Sequence, residues 1–165
     1  IEQVFKEVRR AVQDETKNQQ TPWENTSLSG DFYFKIQKAK KDANIPFCVF
    51  KITGIARFEI LEKVSAKIQL TTEEDNEWQR VKNRVNNICL SALENNQAIL
   101  IDAEESWIQN AIDELANTNM LICNKSKTIV YNTFQLYLAN RLNYFKLSLD
   151  QAKTNGYRLL QSRFH

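Results

Sequence analysis

Glycine and proline are scarce in this chain, which has three Gly and two Pro among 165 residues. A sandwich of short strands needs many tight turns built from these residues, so the scarcity favours helices joined by short loops. No run approaches the roughly 20 apolar residues of a membrane span, and no signal-peptide pattern opens the chain. The motifs G-x-G-x-x-G and the P-loop are also missing, so the sequence alone predicts no site for nucleotide phosphates.

Cysteine and histidine are equally sparse. The three cysteines, Cys48, Cys89 and Cys123, have no C-x-x-C spacing. An odd, dispersed set favours free buried thiols in a reducing intracellular compartment over a disulfide framework. The one histidine is the terminal His165, so a histidine-based triad has little support and no metal site is predicted.

The remaining composition is that of an ordinary globular domain. Apolar residues make up 42% and charged residues 25%, and the net charge is +2. This charge predicts no large basic face for nucleic acid. Because the chain starts at Ile1 rather than Met, we expect a fragment or a processed piece.

From Phe47 onward, strand-like and helix-like segments alternate. The predicted strands are Phe47–Thr53, Ala98–Ala103 and Thr128–Tyr137; the predicted helices are a short one within Gly54–Ala66, then Thr71–Asn95, Glu104–Cys123 and Ala139–Asn155. Such alternation implies parallel strands and right-handed crossovers, hence an α/β fold. Before it we expect a helix at Ile1–Lys17 and a short strand at Asp31–Phe34.

Polar residues stand late in, or just after, the apolar core of each predicted strand. Active sites of parallel α/β proteins lie beyond the carboxyl ends of the strands, which directs attention to Asp102 and Gln135. A lysine within FCVFKIT must reach solvent, pair or serve a ligand, and Asp102 near it would form a charge-assisted pair. Asp102 could equally cap a helix beginning at Glu104, with Glu105 beside it in the first turn. Gln135 could lie on a loop surface.

Four strings within Ile45–Leu160 carry a resemblance: IPFCVFKITGIARFEILEKVSA, ILIDAEESWIQNAIDELA, KTIVYNTFQLY and NRLNYFKLSLDQAKTNGY. In order and spacing they resemble the flavin-dependent proline dehydrogenase family. The resemblance implies a (β/α)₈ barrel that holds FAD and oxidises L-proline to Δ1-pyrroline-5-carboxylate. About three of the eight βα units are expected here, since three strands cannot close a barrel. We therefore expect little or no turnover from the chain alone.

The resemblance also implies roles for four residues. Lys51 matches a lysine that binds the substrate carboxylate, and Asp102 matches the active-site aspartate beside it. The backbone of Ala103 matches a position that touches FAD, and Gln135 matches a glutamine that hydrogen-bonds the flavin ring. A quinone or another electron acceptor is the implied partner. The implied location is mitochondrial in a eukaryote and cytoplasmic or membrane-associated in a bacterium. The turn YLANR, Tyr137–Arg141, departs from the family pattern.

The first part of the chain has a different resemblance. The segment Val4–Phe34, with the string QTPWENTSLSGDFYF, resembles the C-terminal end of caspase-like cysteine peptidase domains. No catalytic His and Cys precede it, so no peptidase activity is expected. This predicts a division into residues 1–35, a caspase-like remnant, and residues 36–165, a partial barrel. A peptidase remnant and a non-catalytic α/β interaction module stay open as alternative functions.

Overall fold

A computed structural model of the chain describes residues 46–159. The predicted helix Ile1–Lys17, the strand Asp31–Phe34, the caspase-like segment, the division at residues 35 and 36, and His165 lie outside the described residues. Within residues 46–159 the chain forms three parallel strands and four α-helices, which confirms the α/β class and is consistent with a partial barrel.

The elements alternate along the chain. They are β1 Phe47–Phe50, a 3₁₀ turn Ile52–Gly54, α1 Phe58–Ser65, α2 Thr72–Glu94, β2 Ala98–Ile101, α3 Gln109–Cys123, β3 Val130–Asn132 and α4 Arg141–Thr154. The sheet order is β1-β2-β3, with Phe47 opposite Ala98 and Ile99 opposite Val130. Because all strands are parallel, their carboxyl ends lie at one edge of the sheet, and this edge carries the polar residues discussed below.

Every strand is shorter than predicted. β1 ends at Phe50 because the chain turns immediately afterwards, with the Gly54 N–H donating to the Lys51 carbonyl at 3.2 Å. β2 ends at Ile101 and β3 at Asn132. Lys51, Asp102 and Gln135 therefore lie in the loops that follow the strands, where side chains are free to meet across the edge.

The predicted start of α3 is also wrong. The helix begins at Gln109, so Asp102 does not cap it, and Glu104 and Glu105 do not form its first turn. The physical reason lies in competing contacts. The Glu104 N–H donates to the Gln109 side chain at 3.0 Å, and the Glu104 carboxylate binds Thr53. Side-chain bonds of this kind offer the backbone an alternative to a helical turn.

Two predicted helix ends are confirmed. The Thr71 hydroxyl accepts from the Glu74 N–H at 3.3 Å, and the Glu74 carboxylate accepts from the Thr71 N–H at 3.0 Å, which forms a capping box at the start of α2. At the end of α4, Gly156 has a φ of +63°, and the Tyr157 N–H reaches back to the Ala152 carbonyl at 3.0 Å. This is the left-handed helix end that glycine favours.

The core lies between the sheet and helices α2 and α3. Its fully buried aliphatic side chains include Ile99 and Ile101 from β2, Ile112 from α3, and Val81, Val85 and Ile88 from α2. Cys89 of α2 is buried in the same core. Burial of each such side chain stabilises the fold by about 1.5–3 kcal/mol. Cys89 and Cys123 are buried free thiols, as predicted, and Cys48 is a half-buried free thiol.

Asn124 holds the opposite, amino edge of the sheet and is fully buried. Its side-chain oxygen accepts from the N–H groups of Ile129 and Val130 at 3.0 and 2.9 Å. Its side-chain nitrogen donates to the carbonyls of Val130 and Arg158 at 2.8 and 2.9 Å. One side chain thus fixes both the start of β3 and the segment that follows α4.

Candidate active site at the carboxyl edge of the sheet

Lys51 and Asp102 form an ion pair at the carboxyl ends of β1 and β2. The Lys51 Nζ lies 3.0 Å from the Asp102 Oδ2. The Asp102 N–H donates to the Phe50 carbonyl at 3.0 Å, so backbone pairing reaches as far as the ion pair. The pair expected from the sequence is present, and the Lys51 side chain remains 57% exposed and open to a ligand.

The charge state of Lys51 follows from these neighbours. The hydrogen bond to Asp102 raises the pKa of the Lys51 ammonium above its ordinary value, and the negative charges of Glu104 and Glu105 raise it further. Lys51 is therefore a cation throughout the physiological pH range. A fixed, partly exposed ammonium is suited to binding an anionic group such as a carboxylate.

A second side-chain contact joins the same two loops. The Thr53 N–H donates to the Glu104 Oε1 at 3.1 Å, and the Thr53 hydroxyl donates to the Glu104 Oε2 at 2.5 Å. Thr53 and Glu104 are 51 residues apart, as are Lys51 and Asp102 and each backbone pair of β1 and β2. Sequence reasoning missed Glu104, although this repeated spacing could have indicated it.

Gln135 joins the cluster through the backbone of Glu104 rather than through Lys51 or Asp102. Its side-chain nitrogen donates to the Glu104 carbonyl at 2.9 Å. Its side-chain oxygen, Oε1, is buried and has no partner among the described residues. Ala103, half-buried, lies between Asp102 and Glu104 in the same loop. We name Lys51, Thr53, Asp102, Glu104 and Gln135 the rim cluster.

A buried polar network joins α3, β3 and α4 and connects to the rim cluster through Gln109. The Asp113 Oδ1 accepts from the side-chain amides of Gln109 at 3.1 Å and Asn132 at 2.9 Å. Asp113 also pairs with the Arg141 guanidinium, which lies 4.4 Å from the centre of the Tyr144 ring. Sequence reasoning did not identify this network, because Asp113 and Gln109 look like residues of a solvated helix face.

Within residues 46–159, no group of three or more His, Cys, Asp or Glu side chains is arranged to hold a metal ion. None of the helices described is long and apolar enough to cross a membrane.

Comparison with known proteins gives a family match along nearly the whole chain. The model of the family described as proline dehydrogenase matches residues 1–161. The match starts at residue 1 and so includes the segment Val4–Phe34, for which the caspase-like resemblance stays a prediction. No solved structure matches the chain.

Individual relatives agree with the family match. Proline dehydrogenase 2, mitochondrial, of Arabidopsis thaliana is 36% identical over 101 residues, which cover 58% of this chain and 21% of the relative. Proline dehydrogenase 1, mitochondrial, of Dictyostelium discoideum is 36% identical over 95 residues, or 55% and 17% of the two chains. Hydroxyproline dehydrogenase of Xenopus laevis is 30% identical over 94 residues, which cover 57% of this chain and 20% of the relative. The matched part spans about a fifth of the length of these relatives.

Proposed function

Because this chain belongs to the proline dehydrogenase family, we propose that it supplies part of the active site of an FAD-dependent enzyme that oxidises L-proline to Δ1-pyrroline-5-carboxylate. The observation that carries the proposal is the Lys51–Asp102 pair at the carboxyl edge of a parallel sheet. The described residues supply three strands and the family barrel has eight, so a test of activity requires the complete protein.

In this proposal Lys51 binds the carboxylate of the substrate. Its ammonium is protonated, partly exposed and held in place by Asp102 at 3.0 Å. Asp102 keeps the long lysine side chain in one orientation, so less side-chain entropy is lost when the substrate binds. Its remaining surface, with 35% of the side chain exposed, is available to the amine end of the same substrate.

The rim cluster also fits a flavin ring. Gln135 has a buried amide oxygen with no partner in the described residues, and such an acceptor is costly unless a ligand supplies a donor. A ring N–H of FAD is a donor of the required kind. The neighbouring Ala103 peptide would contact the same cofactor. When bound, FAD supplies the redox chemistry by accepting a hydride from the substrate.

The electron acceptor and the location follow from the same proposal. A quinone or another electron acceptor would be needed to reoxidise the flavin after each turnover. The Arabidopsis and Dictyostelium relatives are named mitochondrial proteins. We propose a mitochondrial location if the source is a eukaryote, and a cytoplasmic or membrane-associated one if it is a bacterium.

Substitution of Lys51 tests the proposal. In the complete protein, proline-dependent reduction of a dye should be present, and Lys51→Met should raise the KM for proline by about 10–100-fold, the equivalent of one lost charge-assisted hydrogen bond. The control is Lys127→Met, since Lys127 donates to Asn96 at 2.8 Å at the amino edge of the sheet. An unchanged KM in Lys51→Met, or no reaction of the wild type with proline, would contradict the proposed function.

A separate origin of residues 1–35 remains a proposal as well. It rests on the string Gln20–Phe34, while the family match crosses the proposed division without a break. Cleavage of a peptide substrate that ends in Arg or Lys would support the peptidase alternative. Sequencing the gene on both sides of this segment would show whether the division marks a junction between two reading frames.

A further inference from the structure

Two side-chain contacts continue the β1–β2 register past the last paired backbone residues. The first is Lys51 with Asp102, and the second is Thr53 with Glu104. We propose that Glu104 is a positioning residue of this active site, whose carboxylate holds the turn after β1 and thereby fixes Lys51 against Asp102. The proposal rests on the proposed function, because Lys51 is there the group that binds the substrate.

The carboxylate of Glu104 accepts two hydrogen bonds from the turn that follows β1. The turn is Ile52–Gly54, and Thr53 at its centre donates both its N–H and its hydroxyl to the two oxygens of Glu104. Two bonds to one carboxylate restrain both the position and the orientation of the turn. Lys51 is the residue immediately before the turn, so its backbone direction depends on this contact.

The backbone of Glu104 is itself anchored, which makes the carboxylate a fixed point. Its N–H donates to the Gln109 Oε1 at 3.0 Å, and its carbonyl accepts from Gln135 at 2.9 Å. The direction of the Gln109 amide is set in turn by Asp113, which as a carboxylate can only accept. A continuous set of bonds therefore runs from the buried Asp113 to the rim cluster.

The contacts of Glu104 indicate positioning rather than proton transfer. Both of its oxygens already accept donors from Thr53, and the residue is half-buried. Its neighbour Glu105 is exposed, its carbonyl accepts from the Ile108 N–H at 3.0 Å, and its side chain forms no hydrogen bond or ion pair with the described residues. Glu105 thus offers a matched control with the same charge, one position away in the same loop.

The test combines hydrogen exchange with steady-state kinetics on the complete protein. In Glu104→Ala, amide exchange at Thr53 should accelerate by about 10-fold or more, because its N–H has lost its acceptor. The KM for proline should rise by about 10-fold while kcat changes by less than about 3-fold, since the loss falls on substrate binding. Glu105→Ala should change neither quantity, and Glu104→Gln, which keeps one acceptor oxygen, should fall between the two.

The outcomes separate the two proposals. Unchanged exchange at Thr53 in Glu104→Ala, or faster exchange with an unchanged KM, overturns the positioning role. If Glu104→Ala does not fold, Thr53→Val must still raise the KM while Thr53→Ser leaves it near the wild-type value, and the reverse result overturns the role. If the wild type does not react with proline, the proposed function fails, and this role for Glu104 fails with it. The exchange data alone then report whether Glu104 holds the turn.

Discussion

Asp113 and Arg141 form a two-point ion pair across 28 residues of sequence, with N–O distances of 2.7 and 3.2 Å. Only 4% of the Asp113 side chain and 11% of the Arg141 side chain are exposed. The pair joins α3 to the first residue of α4, and the Phe134 and Tyr144 rings lie beside the guanidinium. Because both charges are desolvated, each depends on the other for its stability in the fold.

Loss of one partner of this pair should therefore be costly. We expect Arg141→Met to lower the free energy of unfolding by about 3 kcal/mol, because it leaves the Asp113 charge buried and uncompensated. Urea denaturation followed by circular dichroism measures the change. The control is Lys153→Met, whose ammonium lies 3.8 Å from Asp150 with both side chains exposed. It should cost at most about 0.5 kcal/mol, and an equal effect of the two variants would contradict the prediction.

Asn124 provides a second test of buried polar contacts. Asn124→Ala removes the partners of the Ile129 and Val130 N–H groups, and both groups then lack an acceptor inside the protein. We expect the free energy of unfolding to fall by about 2–4 kcal/mol, measured by chemical denaturation. Asn87→Ala, at an exposed position of α2, is the control and should have little effect. A loss below about 1 kcal/mol in Asn124→Ala would show that water satisfies these groups.

The start of α2 should carry a pH dependence. The hydrogen bond from Lys63 lowers the pKa of Glu74 from its ordinary value of 4.5, and the Thr71 backbone bond lowers it further. A lowered acid pKa means that the stabilisation is present above the unfolded pKa and is lost as pH falls through the folded pKa. The difference in unfolding free energy between the wild type and Glu74→Gln should thus be largest above about pH 5 and shrink in acid. A difference that is constant with pH would contradict this assignment.

The three thiols should react in a fixed order. Cys48 is half-buried, burial raises the pKa of Cys123 to about 11, and burial raises the pKa of Cys89 further still. Since the thiolate is the nucleophile, alkylation by iodoacetamide at pH 8 should be fastest at Cys48 and slowest at Cys89. Mass spectrometry of peptides from timed samples measures the order. All three should react alike in the unfolded protein, and fast labelling of Cys89 in the folded protein would contradict the prediction.

The sequence was sufficient to predict the Lys51–Asp102 pair because parallel strands bring their carboxyl ends together whatever their lengths. The sequence was not sufficient to predict where the strands end and where α3 begins around that pair. The string Asp102–Ser106 has the composition of a helix start, and its local propensity favours the helix that was predicted from Glu104. Contacts with Thr53, 51 residues earlier, and with the Gln109 side chain override that propensity.

The buried network around Asp113 could not be predicted from the sequence, for a related reason. In α3, Asp113 lies four residues after Gln109 and four before Asn117, and a polar stripe at this spacing is typical of a solvated helix face. It is buried because Asn132 and Arg141, from other elements, meet it there. A single sequence does not show which polar residues will find such partners, since this depends on how α4 docks against α3.

The bond from Asn124 to the Arg158 carbonyl has a topological consequence. It places the chain after α4 at the amino edge of the sheet, where β1, β2 and β3 all begin. Tyr157 and Leu159 are buried on either side of this attachment, so the return is complete by residue 159. A strand that followed directly on residue 159 and paired with β3 would begin at the amino edge of the sheet and so run parallel to its neighbours. Asn124 thus helps to set the direction in which such a strand would run.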